Sequence, residues 1–243
     1  MVLLFLATGA FFMANVQLPQ WSYVLSSINV LLFAIPSLWA LKMWLGWADA
    51  AKLVVILGLY ALGIETFAIL TGFPYGHFGY SEHLGYKLFG QVPWTVAFAW
   101  TPLMLCAYTA ARSLFVSRIR RIICSTLLLV AFDLVLDPGA VLLGFWQYPA
   151  GGLFYGVPFS NFLGWVFSGA IGSVIMEAAI SYFRPLLPPP VQIGSSAFFI
   201  IFFWTALAAF GGLGVPAAIG GAIAFAMYLW YQRSYYAFDE MVV

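Results

Sequence analysis

Two aspartates stand four residues apart in the oily stretch VAFDLVLDPGAVLLGFWQY, residues 130–148. They are Asp133 and Asp137, and a helix would place both on one face. A third acid, Glu65, interrupts the apolar run GIETFAIL. The whole chain has only eight Asp and Glu in 243 residues. A carboxylate at bilayer depth costs several kcal/mol, roughly, unless it is neutral, paired or in a wet cavity. Asp137 precedes Pro138, and such a pair reads as the N-cap and first position of a new short helix. Asp133 and Glu65 have no capping role, so their bland reading is a buried, hydrogen-bonded acid. Glu177 lies near Arg184 and reads as half of an interfacial ion pair. His77 and His83 fall in a loop, with His77 inside GFPYGHFGY.

Several chemistries are excluded by what the sequence lacks. It has no Gly-rich phosphate loop, no HExxH, no zinc-type Cys/His spacing and no dinucleotide fingerprint. It has no serine nucleophile elbow. Clustered carboxyls, many aromatics and an apolar interior remain. A carboxyl removed from water beside a second carboxyl tends to keep its proton. Such an acid can protonate a substrate at neutral pH. Aromatic faces stabilise a cation through their quadrupole. Together these suit protonation of an alkene in a lipid, followed by trapping of the carbocation. Metal and redox cofactors are expected to be absent.

The elements that must position these groups are membrane helices. The chain is 64% hydrophobic and 7% charged, with mean hydropathy +1.00. A soluble domain carries about a quarter charged residues. This composition predicts one integral membrane domain over 1–243, all-α, a bundle of about eight spans. They fall at 1–16, 22–45, 50–72, 93–115, 119–137, 159–183, 195–213 and 214–233, or seven spans if 1–16 does not cross. The start, MVLLFLATGAFFMANV, lacks the basic region of a secretory signal. The breakers include GWADAAK, DPG and RPLLPPP. The net charge of +1 offers nothing to nucleic acid. Cys106 and Cys124 read as small core residues rather than a disulfide or metal pair.

If the spans alternate, Lys42, Lys52, Arg112, Arg118, Arg120, Arg121, Arg184 and Arg233 share one side, and Lys87 stands alone on the other. The first side is then cytoplasmic, with both termini if 1–16 spans. The long loops 73–92 and 138–158 fall on the opposite face. Their Gly, Tyr, Phe and Trp content fits an interfacial belt or a lid over a lipophilic pocket. A weak repeat links them. ETFAILTGF (Glu65–Phe73) aligns with DPGAVLLGF (Asp137–Phe145), and FGQVPWTVAFAW (Phe89–Trp100) with YGVPFSNFLGW (Tyr155–Trp165). Paired repeats in membrane proteins often place a site at their interface.

ETFAILTGFPYGHFGYS, DLVLDPGAVLLGFWQY and YGVPFSNFLGW resemble the membrane carotenoid-biosynthesis family. That family includes carotenoid 1′,2′-hydratases and the bacterioruberin-pathway hydratase of haloarchaea. The resemblance covers about 60–185; the ends match by hydropathy alone. It implies addition of water across the terminal C1=C2 double bond of an acyclic carotenoid, without a redox cofactor. An acid would protonate C2, leaving a tertiary cation at C1, and a base would activate water. On this basis Asp133 or Asp137 is the expected donor and Glu65 the water-activating group. The polyene end is expected among Tyr75, His77, Tyr80, Trp146, Tyr148, Tyr155 and Trp165, with Gln147 and Asn161 positioning water. The expected partners are a lipophilic carotenoid, the bilayer of a prokaryotic cell and other enzymes of the same pathway. Three rival readings are a lycopene-type cyclase, an aspartate-rich prenyltransferase needing Mg²⁺, and a carotenoid-binding protein that is not an enzyme. The basic residues lie mainly away from the acids, which disfavours the prenyltransferase.

Overall fold

The computed structural model describes residues 1–17 and 23–242, and the side chains of these apart from residues 23 and 234–242. The protein is all-α. Among the described residues seven α-helices run in chain order: α1 (Val2–Asn15), α2 (Tyr23–Thr71), α3 (Val96–Leu114), α4 (Arg118–Leu142), α5 (Phe159–Phe183), α6 (Ser195–Phe210) and α7 (Gly214–Val242). α2 is two helical arms meeting at a kink, which keeps the expected division between 22–45 and 50–72 but with no loop between them; residue 22 lies outside the described residues. The break is the single residue Gly46, at φ 77° and ψ 170°, a conformation glycine adopts without steric penalty. The Ser27 hydroxyl, early in the first arm, reaches the Leu84 carbonyl, which follows the second arm. The arms thus double back on each other at Gly46.

Among the described residues four helical stretches are long and apolar enough to cross a membrane: Val24–Thr71, Phe159–Phe183, Val191–Phe210 and Gly214–Arg233. α1 has only 14 residues. α4 opens on three arginines and carries both central aspartates. Outward faces display Trp39, Trp47, Val55, Leu59, Phe67 and Leu70, all exposed. Such a surface belongs in lipid rather than water.

α3 is the central helix, buried almost without interruption from Trp100 to Ala111. Leu53, Leu57 and Ala61 of α2, Leu129 and Phe132 of α4, Met176 of α5 and Ile201 of α6 pack in the same core. Polar staples join the helices. Ser37 and Ser196 exchange hydrogen bonds across α2 and α6 at 2.9 and 3.1 Å. Glu177 of α5 accepts two hydrogen bonds from the Arg121 guanidinium of α4, at 2.5 and 2.7 Å, with Arg118 at 3.8 Å. Its partners are thus Arg121 and Arg118 rather than the expected Arg184, which caps α5 in a left-handed conformation. Cys106 is buried and Cys124 half-buried, and both are free thiols.

The two long loops meet at one end of the bundle. Strand β1 (Gly79–Tyr80) pairs antiparallel with β4 (Trp146–Gln147), so Gly79 faces Gln147 and Tyr80 faces Trp146. A second hairpin pairs β2 (Lys87–Leu88) with β3 (Val92–Pro93). Lys87 secures the first loop by donating to the Tyr80 carbonyl and to Glu82, both at 2.7 Å.

The DPG motif does not break a helix. α4 runs through Pro138 to Leu142. Proline removes one helical N–H there, yet the helix continues past it. A Cβ on Gly139 would collide with the Trp204 ring of α6. The glycine is a contact point, and Asp137 is an interior helical residue rather than an N-cap.

Candidate active site

A cavity of about 370 Å³ opens beneath the paired loops. Glu65, Asp133 and Asp137 all line it, and each is more than nine-tenths buried. Glu65 comes from the second arm of α2, six residues before its end. The aspartates come from one face of α4, as their spacing requires. Asn161, in the first turn of α5, joins the pair. Its side-chain nitrogen donates to Asp133 Oδ2 at 2.8 Å and to Asp137 Oδ2 at 2.7 Å. One amide therefore holds two carboxyl groups together. Two carboxylates so placed, away from water, cannot both ionise without a large penalty. Asp133 Oδ1 is buried and has no hydrogen-bond partner among the described residues. A proton on the pair would give the two carboxyls an O–H to share between them.

Tyrosines from the loops complete the shell. The Tyr148 hydroxyl donates to Asp137 Oδ2 at 2.7 Å, and that of Tyr80 donates to Glu65 Oε2 at 3.1 Å. Burial pushes both phenols well above the ordinary tyrosine range, with Asp137 adding to this at Tyr148 and Glu65 at Tyr80. They remain donors at any ordinary pH. The acids that head the two repeat units, Glu65 and Asp137, thus each receive a phenol from the loop that follows. The β1–β4 pairing fixes those loops to each other.

Aromatic rings form a continuous wall beside the acids. Tyr75 contacts Trp165 and Phe78, with ring centres 6.3 and 6.1 Å apart. Phe78 contacts Tyr80 and Tyr148 at 5.5 and 5.9 Å, and Tyr80 contacts Trp146 at 5.6 Å. Away from the acids the lining turns apolar. It is made by Phe5, Gly9 and Phe12 of α1, Leu25 and Val30 of the first arm of α2, and Phe203 and Trp204 of α6. The cavity sets three carboxyl groups beside an apolar lining, and its ring faces can stabilise a cation.

A family model for "Carotenoid biosynthesis protein" matches residues 21–227. The chain belongs to this carotenoid-biosynthesis family. It is 39% identical over 132 residues to bisanhydrobacterioruberin hydratase of Haloarcula japonica. That alignment covers 53% of this chain and 45% of the relative, so the chain spans about half the length of the curated relative it matches. No solved structure matches it. For a carotenoid-biosynthesis protein the mostly apolar lining of the cavity fits a lipophilic carotenoid.

Tyr75, Tyr80, Trp146, Tyr148, Asn161 and Trp165 line the cavity with the three acids. His77, Gln147 and Tyr155 lie outside its lining. The His77 side chain is exposed and lies against Gly72. Gln147 sits on the exposed side of β4, because its strand neighbour Trp146 takes the inward face. The Tyr155 hydroxyl accepts from the backbone N–H of Val215 at 3.3 Å. Asn161 clamps the carboxyls, so its N–H groups are committed and not free to hold water. Phe78, Trp100 and the walls from α1, α2 and α6 were missed. In the α6 run SSAFFIIFFW nearly every position is apolar, so no periodic signal marks the inward face. Ser26 and Asn29, which also line the cavity, were findable as polar residues inside an apolar span.

Proposed function

We propose that this protein is a carotenoid hydratase, adding water across the terminal C1=C2 double bond of an acyclic carotenoid. The observation that carries this reading is the convergence of three buried carboxyls, each with defined hydrogen-bond partners, on one end of an apolar, aromatic-walled cavity. The Asp133–Asp137 pair holds the proton and delivers it to C2. The tertiary cation at C1 faces the ring wall of Tyr75, Phe78 and Tyr148. Water attacks C1 and releases a proton to Glu65. Nothing is oxidised or reduced, so the reaction needs no redox partner. The name of the haloarchaeal relative supports the hydratase outcome over cyclisation, in which an internal alkene would trap the same cation.

The protein lies in the membrane as eight crossings, the two arms of α2 counting separately, with the paired loops on the non-cytoplasmic side. The lysine and arginine distribution supports that orientation. Expression in cells that make an acyclic carotene, followed by pigment mass spectrometry, tests the function. A pigment heavier by one water supports it. An isomeric pigment would identify a cyclase, and an unaltered one a binding protein. Activity lost to EDTA and restored by Mg²⁺ would revive the prenyltransferase reading.

A further inference from the structure

The two central aspartates are not held alike. Asp137 Oδ2 accepts from the Tyr148 hydroxyl and from the Asn161 amide, both at 2.7 Å. Asp133 Oδ2 accepts from Asn161 alone among the described residues, at 2.8 Å. Its Oδ1 is buried and has no partner among them. The orientation of the Asn161 amide follows from the chemistry of its neighbours, because turned over it would set its carbonyl against two acceptors. Hydrogen bonds to a carboxyl favour its charged form, and bonds to a charged group are roughly twice as strong as neutral ones. Negative charge on the pair therefore settles on Asp137, which has the two donors. On Asp133 the same charge would leave a buried oxygen unpaired, which is costly.

The surroundings admit only one charge on the pair. Among the described residues no Lys, Arg or His lines the cavity. The titratable groups that line it beside the pair are Glu65 of α2 and the phenols of Tyr75, Tyr80 and Tyr148, and none of these brings positive charge. The other helices present no charged side chain to it. A second negative charge would thus have no cation to offset it, and one of the two carboxyls keeps its proton. The donor that biases the pair is itself fixed. In the turn after Asn161, a Cβ on Gly164 would collide with the Tyr75 ring and the Pro74 backbone. Only glycine there lets this end of α5 lie so close to the loop.

We propose that Asp133 is the carboxyl that carries the shared proton and gives it to the alkene, with Asp137 as its fixed anionic partner. This rests on the hydration reading and divides the roles within the pair. The O–H bond of Asp133 breaks and leaves its electrons on the carboxylate. The alkene π electrons form the new C–H bond at C2. A lone pair of water then forms the C–O bond at C1, and the surplus proton of that water passes to Glu65. One proton is given, one is taken and one water is consumed.

The two aspartates then differ in how their amide variants respond to pH. Asp133→Asn has no proton to give, so its turnover should stay at least about 100-fold below the wild type at every pH. Asp137→Asn keeps the acid but removes the neighbouring negative charge that helps Asp133 hold its proton. The Asp133 proton is then lost at a lower pH, so activity that is absent at neutral pH should return on acidification, by about tenfold per pH unit. Infrared spectroscopy in detergent reads the proton without turnover, through the C=O stretch of a protonated carboxyl and its shift in D₂O. Asp133→Asn should lose one such band, and Asp137→Asn should keep it in acid. The reverse pattern, with the band lost and turnover absent at all pH in Asp137→Asn but recovered in acid by Asp133→Asn, would overturn the proposal. Identical pH profiles for the two variants would do the same. If the wild type forms no alcohol while the band behaves as expected, the hydration reading falls and the placement of the proton on Asp133 stands.

Discussion

Replacing Asp137 by Asn separates a proton-sharing role from a structural one, because the two roles move different observables. Asp137 Oδ2 accepts from Tyr148 and Asn161, and an amide oxygen accepts equally well in geometry. Hydrogen bonds to a charged group contribute about 1.5–3 kcal/mol and neutral ones about 0.5–1.5. The change therefore weakens two bonds by about 1 kcal/mol each. The new amide nitrogen faces Asp133, whose Oδ1 lacks a partner, and a bond there returns about 1 kcal/mol. The net change is about 1 kcal/mol, or about 2–4 °C in Tm for a chain of this size. Hydration should behave quite differently. General acid catalysis typically supplies about 10²–10⁴-fold, so turnover should fall at least about 100-fold. The assay is tryptophan-fluorescence melting in detergent beside pigment turnover on the same sample. Near-normal turnover in the folded variant would refute proton sharing. A collapse in Tm with a proportionate loss of activity would instead make Asp137 a structural acid.

Tyr148→Phe removes one donor from Asp137 but leaves Asn161 in place, so the variant should stay folded, losing about 1.5–3 kcal/mol; a chromatographic and melting comparison with Tyr80→Phe, which strips the phenol donor from Glu65 Oε2, should show both variants slowed. Arg121→Met leaves Glu177 buried with only the distant Arg118, and breaking a buried pair costs roughly 3–5 kcal/mol. The lower end applies because the Arg121 side chain is 14% exposed, and the melt should drop while the product, where protein survives, stays the same. Gly164→Ala should impair both stability and turnover by displacing the Tyr75 ring, visible as a lower Tm and a lower yield of alcohol, whereas Gly221→Ala, with open space around it, should be silent.

Much of the site was legible because acids are rare in this chain and expensive in lipid. Glu65, Asp133 and Asp137 stood out against their neighbours on that ground alone. The i,i+4 spacing placed the aspartates on one face, and the repeat paired Glu65 with Asp137. The aromatic loops were legible as a group, but individual orientations were not. Trp146 and Gln147 are adjacent, and which of them faces inward depends on strand register against β1. Local rules failed at DPG, where Asp-Pro favours a helix start in isolation. The contact between Gly139 and Trp204 involves residues far apart in sequence, which local patterning cannot register. They also failed at Gly46, where one glycine sufficed for the reversal expected of a longer loop. The walls from α1, the first arm of α2 and α6 were illegible because uniformly apolar helices carry no facing signal. Glu177 was correctly read as an ion-pair partner, but Arg184 is nearer in sequence and Arg121 nearer in space.

Heavy-oxygen water offers the most direct test that the carboxyl-lined cavity hydrates a carotenoid. Purified protein is incubated with an acyclic carotene in detergent and heavy-oxygen water, and the pigment is analysed by mass spectrometry. The expected product is heavier by one water, carries the heavy oxygen and is absent with Asp133→Asn. An isomeric product without oxygen, or a hydroxylated product formed equally by Asp133→Asn, would contradict it.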